Sequence, residues 1–348
     1  NEIMQDSKGY LWISTYDGLN QFDGDVFNCF YREDGLYGHE IECTSEDRFG
    51  RIWVATRRGL NCIENDQVIA TPAELQKTVL SNHVSKLYYS GDDRLYIALK
   101  TKRKLSQNRF YSSLLYWDHI NTVDVKLPSD TTEIFQIIEF DSSIFLASNL
   151  GLIKLSADSS FLITESSIEQ SISVSCLSTF NNKLVIGTNK GLFFYKDSIF
   201  RDTTFSYFDT ISVNQLYSND KYLLIGEKKE FFHLYSSTKI ESFSRLDGAH
   251  TSRIISVFID REESFWISYW GDGLIKYREK PFVTYTKQFN RYVGGTVHAI
   301  YVDEEENLWV GGSNGMFFKP KEARFFKRYF PKRDFTNCKM NSNSIWGI

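Results

Sequence analysis

Charged and aromatic residues recur just after a series of short apolar tetrapeptides, and their types suit recognition better than catalysis. Tyr16 and Asp17, Arg57 and Arg58, Lys100, Asn149, Asn189, Lys190, Lys228, Lys229, Tyr269, Trp270, Asp272, Ser313 and Asn314 all fall there. Arg57 and Arg58 can offer forked contacts to a carboxylate or sulfate. Tyr269 and Trp270, in a glycine-rich turn, can offer a flat face to the apolar side of a sugar, with core contact as the competing reading. Counting these turns and the segment after Lys100, basic residues outnumber acidic ones nine to four in a chain of net charge −4. That asymmetry would focus potential toward an anionic group, unless the lysines are simply solvated loop tips. Catalysis would need a nucleophile with a base, a carboxylate pair or a metal cluster. The histidines His39, His83, His119, His233, His250 and His298 are dispersed without ligand spacing. No cofactor is implied. His39, His83 and His250 precede inner strands, so a lyase or hydrolase site stays as an alternative.

These residues are positioned by a repeat. Leu11-Trp12-Ile13-Ser14, Ile52-Trp53-Val54-Ala55, Phe265-Trp266-Ile267-Ser268 and Leu308-Trp309-Val310-Gly311 are its clearest copies. Leu95-Tyr96-Ile97-Ala98, Ile144-Phe145-Leu146-Ala147, Leu184-Val185-Ile186-Gly187 and Leu223-Leu224-Ile225-Gly226 fill the interval. Eight units about 42 residues long indicate a solenoid, propeller or array. Each unit reads as four short strands joined by tight turns. A lone sheet of that size cannot bury both faces, so the units must stack, and radial stacking gives an all-β propeller of four-stranded antiparallel blades. Only Ala73 to Leu80 looks helical, and it reads as one turn in a loop. We expect one propeller domain over residues 1–341, with residues 342–348 as the first strand of a further repeat. Eight blades are favoured for the ring because a detached blade would expose an apolar face. Seven blades plus the start of a second propeller is the alternative.

If first strands line the channel, the turns between strands two and three share one end of the ring with the crossovers. In most units a glycine follows the tetrapeptide, as at Gly18, Gly59, Gly151, Gly191, Gly273 and Gly315, where positive φ is expected. The third unit replaces it with an insertion from Lys100 to about Phe110, and the sixth has Glu230-Phe231. Asp6, Asp47, Asp260 and Asp303 open the turns between strands one and two, where a carboxylate accepts from backbone amides. Calcium is disfavoured there because too few acidic positions alternate. Trp12, Trp53, Trp266 and Trp309 recur in register and read as contacts between blades. The net charge supplies no general attraction to nucleic acid. No apolar run of 18 residues is present, so no membrane insertion by this segment is expected. Five cysteines without metal-type spacing read as small buried hydrophobes, with a Cys29–Cys43 bridge conceivable.

Gln5 to Thr15 with Asp17 to Gly24, Glu46 to Thr56 with Gly59-Leu60, and Val302 to Gly312 with Gly315-Met316 resemble two-component regulator propeller repeats. The resemblance spans the chain, strong in units one, two, seven and eight and faint in three to six. It implies the periplasmic sensor region of a hybrid two-component histidine kinase from glycan-degrading gut bacteria, anchored in the inner membrane. Seven-bladed rings, a second propeller, a dimer partner and an oligosaccharide ligand, an acidic one included, are what such a family would bring. It carries no binding residue over to this sequence. A protein-interaction scaffold is the rival reading, with Phe325 to Phe330 compatible with it.

Overall fold

The computed structural model describes residues 2–102, 110–156, 159–163, 172–227, 231–236, 239–243, 253–271, 273–277, 297–312, 315–321, 323 and 326–329. Eight antiparallel sheets follow one another along the chain, each running in chain order from first to last strand. Seven have four strands, and the seventh sheet has three among the described residues. We call them blades 1 to 8. Their first strands are Glu2–Gln5, Ile41–Glu46, His83–Tyr89, Ile134–Phe140, Val174–Phe180, Val213–Ser218, Ile254–Ile259 and Val297–Val302. The fold is a β-propeller, as the repeat predicted.

The ring closes at seven blades. First strands of successive blades touch from blade 1 through blade 7, and that of blade 7 then touches that of blade 1. Ile3, Leu11 and Ile13 of blade 1 share a buried cluster with Phe258 and Trp266 of blade 7. Arg261 of blade 7 completes the seam by donating to the carbonyls of Asp6 (2.7 Å) and Ser7 (3.1 Å). The contacts between first strands thus follow the seven-bladed alternative and not the favoured eight. Residues 1–242 with 250–278 form one compact unit, and residues 243–249 with 279–348 form another that carries blade 8. A repeat count fixes how many modules are written, whereas the splay between neighbouring sheets fixes how many close. Within blade 8, Val310 and Phe317 make a small core, and Ile300, Tyr301 and Val302 are exposed. Residues 342–348 lie outside the described residues.

The core sits between sheets. Trp12 is buried among Ile41, Ile52, Val54 and Ile63 of blade 2, and Trp53 among Val84, Leu95, Ile97 and Leu115 of blade 3. Trp266 fills the 7–1 seam, so these three indoles glue adjacent blades as expected. Each such burial contributes roughly 2–3 kcal/mol. Trp309 packs instead within its own blade against Phe318, with ring centroids 4.3 Å apart and planes tilted by 43°. Ala73–Val79 is a seven-residue α-helix and not a single loop turn, because Leu75 and Val79 insert into the cluster between blades 2 and 3.

The opening aspartates do more than cap turns. Asp6 Oδ1 accepts from the amides of Lys8 (3.0 Å) and Tyr10 (2.9 Å), while Oδ2 accepts from Trp12 Nε1 at 2.8 Å. The same indole bond joins Asp47 to Trp53 (3.0 Å), Asp260 to Trp266 (2.7 Å) and Asp303 to Trp309 (2.8 Å). A buried indole N–H needs an acceptor, and the turn supplies it. Cys29, Cys43, Cys62 and Cys176 are unbridged.

Candidate functional site

Turns between strands two and three do share one end of the ring with the crossovers. Gly18 N donates to the carbonyl of His39 (2.7 Å), Ser81 N to that of Arg58 (2.9 Å) and Trp270 N to that of Arg253 (2.9 Å). A hydroxyl at the turn's first position pins it: Thr15, Thr56, Ser148 and Thr188 each donate to the carbonyl of the glycine three residues on. Gly191 shows why glycine is needed there. Its φ is +109°, and a Cβ would lie 2.3 Å from the carbonyl oxygen of Phe208, far inside contact distance.

The residue after the hydroxyl is presented outward, and here the blades differ. Blade 1 presents Tyr16, blade 2 Arg57, and blade 7 presents Trp270 from its longer turn. These three meet. Tyr16 and Trp270 are exposed and stand edge to face, with ring centroids 5.5 Å apart and planes at 79°. The Arg57 guanidinium carbon lies 6.0 Å from the Tyr16 ring centroid.

Arg57 is not free to fork onto a ligand, contrary to expectation. Its guanidinium pairs with Glu40 of the crossover and donates from Nε to Glu42 at 3.0 Å. Glu42 also takes His83 Nε2 of blade 3, again at 3.0 Å. A β-bulge between Ile41 and Cys43 leaves Glu42 unpaired in the ladder and re-aims it. Burial alone would raise the Glu42 carboxyl, but hydrogen bonds from His83 and Arg57 outweigh it and bring its pKa to about 2. The bond to Glu42 in turn raises the Arg57 guanidinium.

The remaining predicted residues are scattered. Arg58 is exposed beside Arg57 and has no ion pair among the described residues. Lys100 lies 3.4 Å from Glu133 of the next blade. Lys190 belongs to blade 5, away from the Tyr16–Trp270 pair, and its carbonyl accepts from Arg201. Tyr269 is withdrawn: it ends its strand only 4% exposed, so it cannot stack on a ligand. Lys228 and Asp272 lie outside the described residues, as do Lys229, His250, Ser313, Asn314, and Arg103 and Lys104 of the insertion. The insertion's flanks extend as a hairpin, Leu95–Lys102 paired with Phe110–Trp117.

Sequence reasoning missed two features. In blade 6, Glu227 replaces the turn hydroxyl and bonds His233 Nε2 at 2.7 Å, while His233 Nδ1 meets Ser242 Oγ at 2.7 Å. The signal was available as a glutamate where units one, two, four and five carry serine or threonine. The second is that two cavities open on the opposite end, between blades 3 and 4 (about 700 Å³) and among blades 6, 7 and 1 (about 380 Å³). Among the described residues, no group of three histidine, cysteine, aspartate or glutamate side chains is placed to hold a metal ion. Nor is any helix there long and apolar enough to cross a membrane.

No family profile and no curated protein matches the sequence. Solved structures do resemble the fold. The extracellular domain assigned to the hybrid two-component system BT3049 of B. thetaiotaomicron is 22% identical, over 99% of this chain and 48% of that one, with a TM-score of 0.66. That of BT4673 from the same organism is 18% identical, over 95% and 46%, with a TM-score of 0.61. Virginiamycin B lyase from Staphylococcus aureus is 10% identical, over 78% and 92%, with a TM-score of 0.55. The chain thus spans about half the length of the two extracellular domains. At these identities the likeness establishes the propeller fold.

Proposed function

We propose that this propeller is the ligand-recognising part of an extracytoplasmic sensor of the hybrid two-component type. It takes a glycan-derived oligosaccharide and passes the signal to a histidine kinase in a longer, inner-membrane-anchored parent chain. Structural likeness to two extracellular domains assigned to hybrid two-component systems supports the sensor reading. The observation that carries the ligand reading is the exposed Tyr16–Trp270 pair on the crossover end. A sugar's C–H face stacks on such rings, and the flanking charges then orient its hydroxyls. Because Glu40 and Glu42 already neutralise Arg57, this rim suits an uncharged sugar residue. An acidic group would have to be met by Arg58.

Signalling by this route is binding without chemistry, and it requires a ligand with different affinity for two receptor arrangements. The exposed Ile300, Tyr301 and Val302 on the first strand of blade 8 suit a further sheet, which favours blade 8 as part of a second propeller. Calorimetric titration with neutral and acidic oligosaccharides, on the protein and on Trp270→Ala, tests the site. A neutral oligosaccharide should bind, and loss of the indole should weaken it about tenfold or more. Affinity indifferent to Trp270→Ala would sink the reading.

A further inference from the structure

The recess between blades 3 and 4 lies on the other end of the ring and has its own chemistry. It exists because two neighbouring turns differ in height. Blade 3 turns through Ser90 to Arg94 and anchors across the gap, Gly91 N donating to Glu139 Oε2 at 2.7 Å. Blade 4 turns in two residues, Asp141 and Ser142, both left-handed at φ 49° and 54°. The step between them leaves about 700 Å³, within the range of small-molecule sites.

Its floor is apolar, from the buried Ile144 and Leu155, with Tyr96 on the blade 3 wall. Arg94 is committed: it stacks on Tyr116 with 4.7 Å to the centroid and lies 3.3 Å from Asp92. Lys154 contributes main chain, because its ammonium sits over the Phe145 ring on the face toward blade 5. That leaves Glu139 as a half-buried carboxylate with no cationic partner among the described residues, only the Gly91 amide. One uncompensated negative charge, a paired Arg94–Asp92 set suited to hydroxyls, and an apolar floor define the complement.

We infer that this recess binds a hydroxylated primary amine of the hexosamine class, with its ammonium on Glu139 and its ring over Ile144 and Leu155. An anionic sugar is opposed by the charge, and a neutral one leaves Glu139 unpaired. The test is NMR titration of the whole chain with glucosamine, glucose and N-acetylglucosamine. Glucosamine should bind, and either N-acetylation or Glu139→Gln should weaken it about tenfold or more, the expected value of a charge-assisted bond. The amide of that isosteric variant can still accept from Gly91, so the turn is retained. Trp270→Ala should leave glucosamine affinity unchanged, which separates this site from the rim. Absent glucosamine binding, glucose bound as tightly, or indifference to Glu139→Gln would each overturn the inference.

Discussion

Blades 7, 1 and 2 differ from blades 4 and 5 at both ends of the same fold. At one end the first group turns through an aspartate whose second oxygen holds a buried indole six residues on. The second group turns in two left-handed residues, Asp141-Ser142 and Asn181-Asn182, and the indole's place is taken by Phe145 and Val185, which have no N–H to satisfy. Blade 3 is intermediate: Ser90 stands where the aspartate would be, and Tyr96, six residues on, replaces the indole. Aspartate and tryptophan are therefore one device, kept or dropped together. At the other end, Tyr16, Arg57 and Trp270 stand where blades 4 and 5 have Asn149 and Asn189. Long turns also reach the next blade, as Arg261 does to blade 1 and Ser7 to Glu46 of blade 2.

The largest expected effect comes from breaking that device. Asp47→Ala strands the buried Trp53 Nε1, the Arg51 guanidinium bonded at 2.7 Å and two turn amides. We expect a loss of about 4 kcal/mol in urea unfolding. Asp141→Ala, at an exposed hairpin residue, should cost only about 1 kcal/mol. Equal costs would show that the indole bond is incidental. A cycle with Trp53→Phe isolates it, since two partners removed together should cost less than the sum of the single losses.

Next is the Glu42 cluster. Its folded pKa near 2 lies below the ordinary value of 4.5, so its contribution is fully present above about pH 4.5 and is lost as pH falls through 2. Glu42→Gln should cost on the order of 3 kcal/mol at pH 7. The difference from the parent protein should shrink steadily between pH 4 and pH 2 in denaturant titrations. A pH-independent difference would mean that the charge is not what holds Arg57 and His83.

Phe145→Trp inverts the comparison. It places an indole in a blade without the aspartate turn, so overpacking and an unsatisfied N–H should together cost about 2 kcal/mol, measured by thermal unfolding. Inserting the long aspartate turn in the same chain should recover part of it. Without such recovery, the turn and the tryptophan would have to be unrelated.

Much of this was legible in the residues. The tetrapeptide period places all eight sheets, and the paired aspartate and tryptophan stand six apart in four units, although only the backbone half of the aspartate's role was read. Ring closure was not legible, since Arg261 and Trp266 reach blade 1 across more than 250 positions of chain. The exposure of Trp270 was readable from its glycine-rich turn. Tyr269 was misread because it ends a strand and takes the buried side. Arg57 was misread because Glu42 reaches it through a bulge, and a one-residue bulge leaves no mark in an alternating pattern.

The smallest effect is a graft that asks whether the presented position is free for function. Asn149 in blade 4 is bound into the crossover: its Oδ1 accepts from Glu133 N at 2.7 Å and its Nδ2 donates to the carbonyl of Thr131 at 3.0 Å. Among the described residues, Tyr16 in blade 1 makes only the edge contact to Trp270 and the one to Arg57. Asn149→Tyr should therefore cost about 2 kcal/mol, whereas Tyr16→Asn should cost below about 1 kcal/mol while changing Trp270 emission. If the two grafts cost the same, blade 1 would be spending its aromatic residue on stability, and the rim would lose its claim to a ligand. If they differ as expected, the same backbone position is structural on one side of the ring and disposable on the other, which is what a binding rim on a repeated scaffold requires.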